Sequence, residues 1–408
     1  MSADRYTVIS ADCHAGANHK TYREYLDPAY HADFDAWRGE YKNPWKDLRD
    51  TDLRVRNWDD DRRDADLLAD GVVAEVVFPN TVPPFYPGFV LFAGPPKPDD
   101  YTHRRAGLHA HNRWLVDFCE RKPGQRAGVG QIFLNDIDDA IEDSTWIKEH
   151  GLLGGVLLPN VAPDVSWVRP LYDPEYDRLW AHLQDLDIPV TLHGGTGSPN
   201  YGKYPATPTV MIAEVPFYSV RPFVHMLLSG VFERFPRLKF VLTENAAGNM
   251  PPLIADLDRV VKAIQGGSMG ELKYREEDKL PRLASEYFAQ NCYIGASMPG
   301  PTDMKIGDLL PPERMMWGND YPHDEGSAPF SRESLRLALA GMDEPRRRAV
   351  LAENAAALYG FDLDMLAGLA AQHGPTVAEL AEPLTELPPE PNSALLNGAR
   401  QAGLPVPA

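Results

Sequence analysis

The sequence predicts an α/β protein built as a distorted (β/α)₈ barrel, and three observations support this prediction. Eight short apolar runs, many with β-branched residues, are bounded by turn residues and do not alternate with polar positions. Such runs are typical of parallel strands that are buried on both faces. Amphipathic segments separate the runs, and 408 residues are enough for one barrel with insertions.

The predicted strands follow one another at intervals along the chain. They are "YTVIS" (6–10), "GVVAEVVF" (71–78), "AGVGQIFL" (127–134), "GGVLL" (154–158), "IPVTLH" (188–193), "LKFVLTE" (238–244), "CYIG" (292–295) and "RMMWGND" (314–320). Helical patterns such as "DDRRDADLLADG" and "PEYDRLWAHLQDLDIP" precede the second and fifth runs. A doubly wound open sheet is the structural alternative. The lack of a glycine-rich phosphate loop after the first run disfavours it.

Two segments depart from this repeat. Residues 80–106 form a Pro- and aromatic-rich insertion after the second strand, on the side where a barrel builds its active site. The segment 379–408 is Pro-rich and weakly periodic. We therefore expect a barrel over residues 1–378, followed by an extended tail that lies over the domain or over a neighbouring subunit.

The charge balance restricts the partners of the protein. Asp and Glu exceed Lys and Arg by 59 to 40, and no Lys/Arg-rich block interrupts this excess. Nucleic acid and anionic membranes are disfavoured because the field repels phosphate. The three cysteines form no CxxC pattern, and the N-terminus lacks a signal sequence. We expect a cytoplasmic homo-oligomer, a dimer or larger, that acts on a small molecule.

Potential metal ligands stand where the predicted strands end. They are Asp12 and His14 (first strand), His193 (fifth), Glu244 (sixth) and Asp320 (eighth). These ends face one mouth of a barrel, and oxygen and imidazole donors without thiolates suit one divalent ion, Zn²⁺ first and Mn²⁺ as the alternative. Because side chains alternate along a strand, Asp12 and His14 point to one side and Cys13 to the other.

The sequence leaves several roles open. Asp320 can hold the metal and act as a general base near metal-activated water. His323 can orient Asp320 or contact the substrate. Glu244 is a fourth protein ligand, a general acid/base, or the ion-pair partner of an arginine such as Arg221, since a charged group at the end of an apolar strand needs a partner.

The insertion carries aromatic residues that can line a pocket for a flat or apolar substrate, and a self-packed loop is the alternative. The predicted substrate-contacting residues are Phe85, Tyr86, Asn319 and Arg221. His109 and His111 form a second HxH pair, but residues at i and i+2 of a helix diverge and do not share an ion. We expect them on a surface helix.

The motifs "ISADCH", "LYDPEYDRLWAHLQDLDIPVTLHGG", "FERFPRLKFVLTE", "RMMWGNDYPHDEG" and "ENAAALYGF" resemble, in this order, the metal-dependent amidohydrolase-related proteins. Within that superfamily they are most similar to the aminocarboxymuconate semialdehyde decarboxylase-like branch. The resemblance runs from about residue 6 to residue 361. It implies a distorted barrel with one divalent metal, whose ligands map onto Asp12, His14, His193 and Asp320.

The chain departs from the pattern of this family at three positions. Many relatives begin with HxH or ExH where this chain has Asp12. Many have a histidine where the sixth strand here ends on Glu244. Serine is common where this chain has Asn319. The change at Asp12 keeps a metal donor at this position. The change at Glu244 leaves open which residue is the acid/base group.

The family that this chain resembles contains both hydrolases and non-oxidative decarboxylases. The same kind of metal site serves either reaction. The second carboxylate, Glu244, can take a proton from water, which favours a hydrolase in which metal-activated water attacks a carbonyl-type carbon. A decarboxylase with the same metal site, in which Asp320 protonates carbon, is the first alternative. A barrel that binds a ligand without catalysis is the second.

Overall fold

The computed structural model describes residues 4–42, 52–244 and 247–406. Eight parallel strands form one sheet in which each strand pairs with the next along the chain. They are β1 (Ile9–Ala15), β2 (Ala74–Pro79), β3 (Arg126–Gln131), β4 (Gly155–Leu157), β5 (Val190–His193), β6 (Phe240–Thr243), β7 (Cys292–Ser297) and β8 (Met315–Gly318). Each predicted run overlaps one strand, and the (β/α)₈ barrel is confirmed.

The barrel closes between β1 and the residues that follow β8. The backbone N–H of Asp320 donates to the carbonyl of Asp12 at 2.9 Å, and that of His14 donates to the carbonyl of Tyr321 at 2.6 Å. Strand β1 continues beyond the predicted run, with a shift of register between Ser10 and Cys13. The first two predicted ligands therefore lie inside a strand, where the backbone hydrogen bonds fix them.

Helices surround the sheet and connect successive strands. The α-helices are His19–Tyr25, His31–Glu40, Asp52–Val55, Asp60–Ala69, Tyr101–Glu120, Ile137–Glu149, Asp177–Asp185, Thr207–Ser219, Arg221–Leu228, Val231–Arg234, Met250–Gln265, Ala284–Asn291, Ser331–Ala338, Glu344–Arg348, Asn354–Tyr359, Leu363–His373, Val377–Ala381 and Ser393–Ala402. A π-helical turn spans Ala349–Glu353, and a small hairpin pairs Ser268–Met269 with Leu272–Lys273. Within the described residues, no helix is both long and apolar enough to cross a membrane.

The local sequence determines where several helices begin. The Asn18 side chain accepts the backbone N–H of Thr21, and the Asp59 side chain accepts that of Arg62. Each bond satisfies a donor in the first turn of a helix that has no partner within the helix. Helix 60–69 thereby begins at a fixed residue, and β2 follows it along the chain.

The insertion after β2 is shorter than the sequence predicted. The helix Tyr101–Glu120 begins inside the segment 80–106, directly after a 3₁₀ turn, Pro98–Asp100. Proline is compatible with the first turn of a helix, where its missing N–H has no partner to lose. Three prolines close together made the whole segment look like a loop, although residues 101–106 already continue the helical pattern.

The tail also differs from the extended segment that we expected. Its described part contains the helices Val377–Ala381 and Ser393–Ala402. Leu395 and Ala399 pack in one apolar cluster with Leu337 and Leu384. The tail therefore covers the helix Ser331–Ala338 of its own barrel.

Candidate metal centre

Five predicted residues meet at the carboxyl ends of the strands. Donor atoms of Asp12, His14 and His193 lie within 4.8 Å of one another, and those of His14, Asp320 and His323 do the same. His14 belongs to both groups and stands between them. All are buried except His323, which is partly exposed. The structure thus brings four of the five predicted strand-end residues, Asp12, His14, His193 and Asp320, together around His14.

The distances show one compact cluster. The Oδ1 atom of Asp12 lies 3.3 Å from Nε2 of His14 and 3.2 Å from Nε2 of His193. The same His14 nitrogen lies 3.1 Å from Oδ1 of Asp320. Alternation along β1 places Asp12 and His14 on the same side of the strand, as expected. Side chains from β1, from β5 and from the segment after β8 therefore gather around His14.

The cluster is chemically suited to a divalent cation. Nδ1 of His14 and Oδ2 of Asp320 are buried and have no hydrogen-bond partner. A buried polar atom without a partner costs about 1–3 kcal/mol, so such atoms usually have a ligand. Carboxylate and imidazole donors without thiolate fit Zn²⁺ or Mn²⁺ in a catalytic site. The residues present therefore fit the metal that the sequence predicted.

The carboxylates and imidazoles of the cluster shift each other's pKa values. Burial raises the pKa of Asp12, but the charges and hydrogen bonds of His193 and His14 outweigh it and hold this pKa below its usual range. Burial lowers the pKa of His193, yet Asp12 and Glu244 raise it to about 9. Because metal ligation requires the neutral imidazole, a cation bound here would displace a proton from His193.

Three further contacts hold the ligands in place. Nδ1 of His193 lies 2.9 Å from the carbonyl of Gly194, which leaves Nε2 to face Asp12. Arg63 donates from Nη1 to the carbonyl of His14 at 2.8 Å. Ser297, the last residue of β7, donates its hydroxyl to Oδ2 of Asp12. Ser297 was not predicted, because the strand continues two residues beyond the predicted run 292–295.

Asp320 and His323 form a pair after β8. Asp320 has a φ of +59°, and its Oδ1 lies 2.8 Å from Nδ1 of His323. Burial lowers the pKa of His323, but Asp320 raises it to about 10. The other ring nitrogen lies 3.0 Å from Oδ1 of Asn80, the residue that follows β2. His323 therefore lies where it can orient Asp320, and Asn80 is a second residue that the sequence analysis missed.

Glu244 borders both the cluster and a cavity. Its Oε2 atom lies 3.3 Å from Nδ1 of His193, and burial raises its pKa to about 7. The cavity has a volume of about 280 Å³. Its apolar walls include Leu242, Met250, Ile294, Ala296, Met298 and Pro299. Arg221 instead donates to the carbonyl of Val161 at 3.4 Å, so the ion partner of Glu244 here is His193.

The other predicted substrate contacts lie in different surroundings. Phe85 packs edge-to-face on Phe34 and tilted against Trp37, two residues of the helix His31–Glu40. Tyr86 is buried and donates its hydroxyl to the Gln131 amide oxygen at 3.0 Å. These two aromatic residues therefore pack against a helix and a strand outside the insertion.

The Asn319 side chain links two strands by hydrogen bonds beneath the cluster. Its Oδ1 accepts from the Ser10 hydroxyl at 2.9 Å and from the Cys13 thiol at 3.2 Å. These bonds join the end of β8 to β1 and keep Cys13 on the side away from the ligands. The structure places this side chain in a supporting position under Asp12.

The expected surface position is wrong for His111. This residue is fully buried, and its Nδ1 lies 2.8 Å from the Tyr22 hydroxyl. The helix Tyr101–Glu120 is covered by the helix His19–Tyr25, which the periodicity of either helix alone did not reveal. His109 keeps a partly exposed position beside Asp143, so the two histidines do diverge as expected.

The sequence matches a known family model and is similar to a known decarboxylase. The family model described as amidohydrolase matches residues 11–361, which is most of the chain. The γ-resorcylate decarboxylase of Rhodococcus jostii is 25% identical over 265 residues, covering 62% of this chain and 75% of that protein.

Two solved structures share the fold. The 5-carboxyvanillate decarboxylase of Sphingomonas paucimobilis superimposes with a TM-score of 0.62 at 20% identity, covering 88% of this chain and 100% of that one. The 5-carboxyvanillate decarboxylase of Novosphingobium aromaticivorans, complexed with manganese and 4-hydroxy-3-methoxy-5-nitrobenzoic acid, has a TM-score of 0.66 at 17% identity. That alignment covers 87% of this chain and 96% of the other.

Proposed function

The chain belongs to the amidohydrolase family, and from that premise we propose that it is a metal-dependent, non-oxidative decarboxylase of small aromatic carboxylic acids. The observation that carries the proposal is the buried cluster of Asp12, His14, His193 and Asp320, next to a cavity with mostly apolar walls. The named relatives support the decarboxylase over the hydrolase that we predicted first, because they are decarboxylases of hydroxylated benzoic acids.

The size and lining of the cavity support a one-ring substrate. Ligand cavities commonly measure about 300–1,000 Å³, and the 280 Å³ beside Glu244 lies at the lower end of that range. Most of its walls are aliphatic and thioether side chains that bury a ring well, and Glu244, Ser297 and Asp303 are the polar groups beside them. An apolar wall also favours a step in which a charged carboxylate becomes neutral CO₂.

We propose one divalent cation in the cluster, Mn²⁺ before Zn²⁺, because manganese occupies the related Novosphingobium enzyme. When bound, the cation would supply a Lewis acid that holds the carboxylate of the substrate and draws electron density from the ring. Asp12, His14, His193 and Asp320 are the residues that would hold it.

The remaining chemistry belongs to the side chains. Nδ1 of His323 lies 2.8 Å from Oδ1 of Asp320, and the raised pKa of His323 keeps its imidazole protonated at neutral pH, so it can supply a proton to Asp320. We propose that Asp320 passes it to the ring carbon that bears the carboxylate. The C–C bond to the carboxylate then breaks, its electron pair returns to the ring, and CO₂ leaves. Glu244, whose pKa is about 7, is the second proton carrier at the cavity.

The test is direct measurement of CO₂ release. Manganese-loaded protein is incubated with a panel of hydroxybenzoates that includes γ-resorcylate and 5-carboxyvanillate. We expect CO₂ and one deuterium at the vacated ring carbon when the solvent is D₂O. Asp320→Asn serves as the inactive control. Hydrolysis of an ester, an amide or a 1,3-diketone by the loaded protein, without CO₂ from any acid, would instead support the hydrolase.

A further inference from the structure

The C-terminal helix Ser393–Ala402 lies outside residues 11–361, which match the amidohydrolase family model. It contacts the loops that follow β7 and β8. The loop after β7 borders the cavity beside Glu244, and the loop after β8 carries Asp320 and His323. A segment that the family pattern does not include therefore reaches the candidate active site.

Gln401, one residue before the end of this helix, holds the loop after β7 with both ends of its amide. Its Oε1 accepts the backbone N–H of Thr302 at 3.0 Å, and its Nε2 donates to Oδ2 of Asp303 at 3.0 Å. The same Asp303 oxygen accepts the backbone N–H of Gly300 at 2.9 Å. Asp303 is itself a lining residue of the cavity. One amide thereby fixes the loop where it borders the cavity.

The fit between this amide and the loop leaves no room for a side chain at Gly300. A Cβ atom on Gly300 would lie 2.1 Å from Oε1 of Gln401. Asp303 also packs against the loop after β6, because a Cβ atom on Gly248 would lie 2.5 Å from its Oδ1. That loop begins at Glu244. Gln401 therefore supports, directly and through Asp303, two of the loops around the cavity.

Asn392, the residue before the helix, holds the loop after β8. Its Oδ1 accepts the backbone N–H of Leu395 and so caps the helix. Its Nδ2 donates to the carbonyls of Gly326 and Ala328 at 2.8 and 3.2 Å. The backbone N–H of Gly326 in turn donates to the carbonyl of His323 at 3.1 Å. The cap of the helix is thereby joined to the turn that carries His323.

Apolar packing anchors the helix between these two polar residues. Leu395 and Ala399 are fully buried in one cluster with Leu337 and Leu384. Gln401 is exposed, and a hydrogen bond near the surface contributes only modestly to the stability of the whole fold. The polar contacts at the two ends therefore position the loops without deciding whether the barrel folds.

We propose that the helix Ser393–Ala402 is a clamp on the candidate active site, in which Gln401 and Asn392 are positioning residues. Gln401 keeps the cavity wall in place around the ring of the substrate, and Asn392 keeps the loop with Asp320 and His323 in place. The inference rests on the proposed decarboxylase function. A loop that already has the binding-competent conformation does not have to be ordered when the substrate binds.

Binding of an unreactive acid tests the role of Gln401 independently of turnover. The manganese-loaded full chain is titrated calorimetrically with benzoate, which lacks a ring hydroxyl. We expect Gln401→Ala to raise Kd about fivefold, because the loop then has the competent conformation only part of the time. Gln401→Glu should raise Kd further, because a second carboxylate then faces Asp303. Arg400→Gln is the matched control, since Arg400 donates to Asn397 of its own helix.

Gly300→Ala reaches the same contact from the side of the loop. Its methyl group displaces the Gln401 amide and should raise Kd for benzoate as Gln401→Ala does. Because both substitutions remove one contact, the second should add less than about twofold in the double variant. Mn²⁺ affinity and kcat should stay at the wild-type values in all three. Additive effects of the two substitutions would overturn the contact.

Asn392→Asp tests the other end of the clamp with the helix intact. Aspartate still accepts the Leu395 N–H as a cap, but it has no donor for the carbonyls of Gly326 and Ala328. We expect kcat to fall about fivefold while the Kd of benzoate and the melting temperature stay unchanged. Asn392→Ala loses the cap as well and should also lower the melting temperature.

The outcomes separate the clamp from the proposed reaction. Unchanged benzoate binding in Gln401→Ala, or unchanged kcat in Asn392→Asp, would overturn the role of that residue. A loss that accompanies a lower melting temperature and weaker Mn²⁺ binding would show a structural contact and would also overturn it. Gln401-dependent binding without CO₂ from any acid would retain the clamp and refute the decarboxylase. CO₂ release that depends on neither residue would retain the decarboxylase and refute the clamp.

Discussion

Replacing Ser297 with alanine should weaken metal binding without removing a ligand. The Ser297 hydroxyl donates to Oδ2 of Asp12, which is fully buried. A hydrogen bond to a charged group contributes about 1.5–3 kcal/mol. Its loss leaves the Asp12 oxygen without this donor and frees the carboxylate to rotate. Loss of a residue that orients a ligand typically lowers metal affinity about 10–100-fold, and we expect Ser297→Ala to fall in that range.

Competition between the protein and a chromophoric chelator for Mn²⁺ measures this effect. Ser334→Ala is the matched control, because Ser334 is also buried but its hydroxyl has no hydrogen-bond partner. The control should bind Mn²⁺ as the wild type does. If Ser297→Ala binds the ion within twofold of the wild type while Asp12→Ala does not, the hydroxyl does not position the ligand and our reasoning about β7 is refuted.

Four further substitutions test the cluster and its surroundings. His193→Ala should lose the metal and all activity together, as metal analysis after dialysis will show. Asp320→Asn should retain much of the metal and lose about 10²-fold or more in kcat, because it cannot transfer the proton. Glu244→Gln should keep the metal and lose about tenfold in kcat near pH 7, where its carboxyl is half protonated. Asp70→Asn should change the pH dependence of stability, since burial raises the pKa of Asp70 from 3.8 to about 6. The protonated form of Asp70 is favoured in the folded state, so its contribution is complete only well below pH 3.8 and is lost as the pH rises from there through about 6. The free energy of unfolding of Asp70→Asn, relative to wild type, should therefore rise by about 2 kcal/mol between pH 4 and pH 7 in urea titrations.

Each of these expectations has an outcome that contradicts it. Retention of stoichiometric metal by His193→Ala would remove that residue from the ligand set. Full turnover by Asp320→Asn would show that the proton comes from elsewhere, and an unchanged rate and metal content in Glu244→Gln would exclude it as a proton carrier. If the free energies of unfolding of Asp70→Asn and wild type changed in parallel with pH, Asp70 would be ionised in the folded protein without loss of stability.

The strand ends explain why the sequence predicted most of the candidate metal centre. Parallel strands that follow one another around a barrel must place their carboxyl ends at one mouth, so Asp12, His193 and Asp320 had to approach each other. Alternation along β1 placed His14 beside Asp12 by local geometry alone. Asn80 and Ser297 were missed because the strands extend to Pro79 and Ser297, beyond the predicted runs 71–78 and 292–295.

The choice between reactions did not follow from the residues. A set of two carboxylates and two imidazoles accepts either water or a substrate carboxylate, so the ligand set does not discriminate between them. The comparisons favoured decarboxylation, and the apolar wall beside Glu244 is consistent with it. Zinc, which we ranked first from the donor types, now stands behind manganese in our proposal.

The sequence by itself therefore determined the barrel, the order of its strands and the approach of the four candidate ligands, because periodicity and strand direction are local properties of the chain. Only the tertiary structure decided what surrounds each side chain. It buried His111 under a neighbouring helix, and it enclosed Arg104 between an insertion and three strand ends with no carboxylate of the described residues in an ion pair with it. Burial and pairing depend on segments far apart in the chain, whose approach no local pattern encodes.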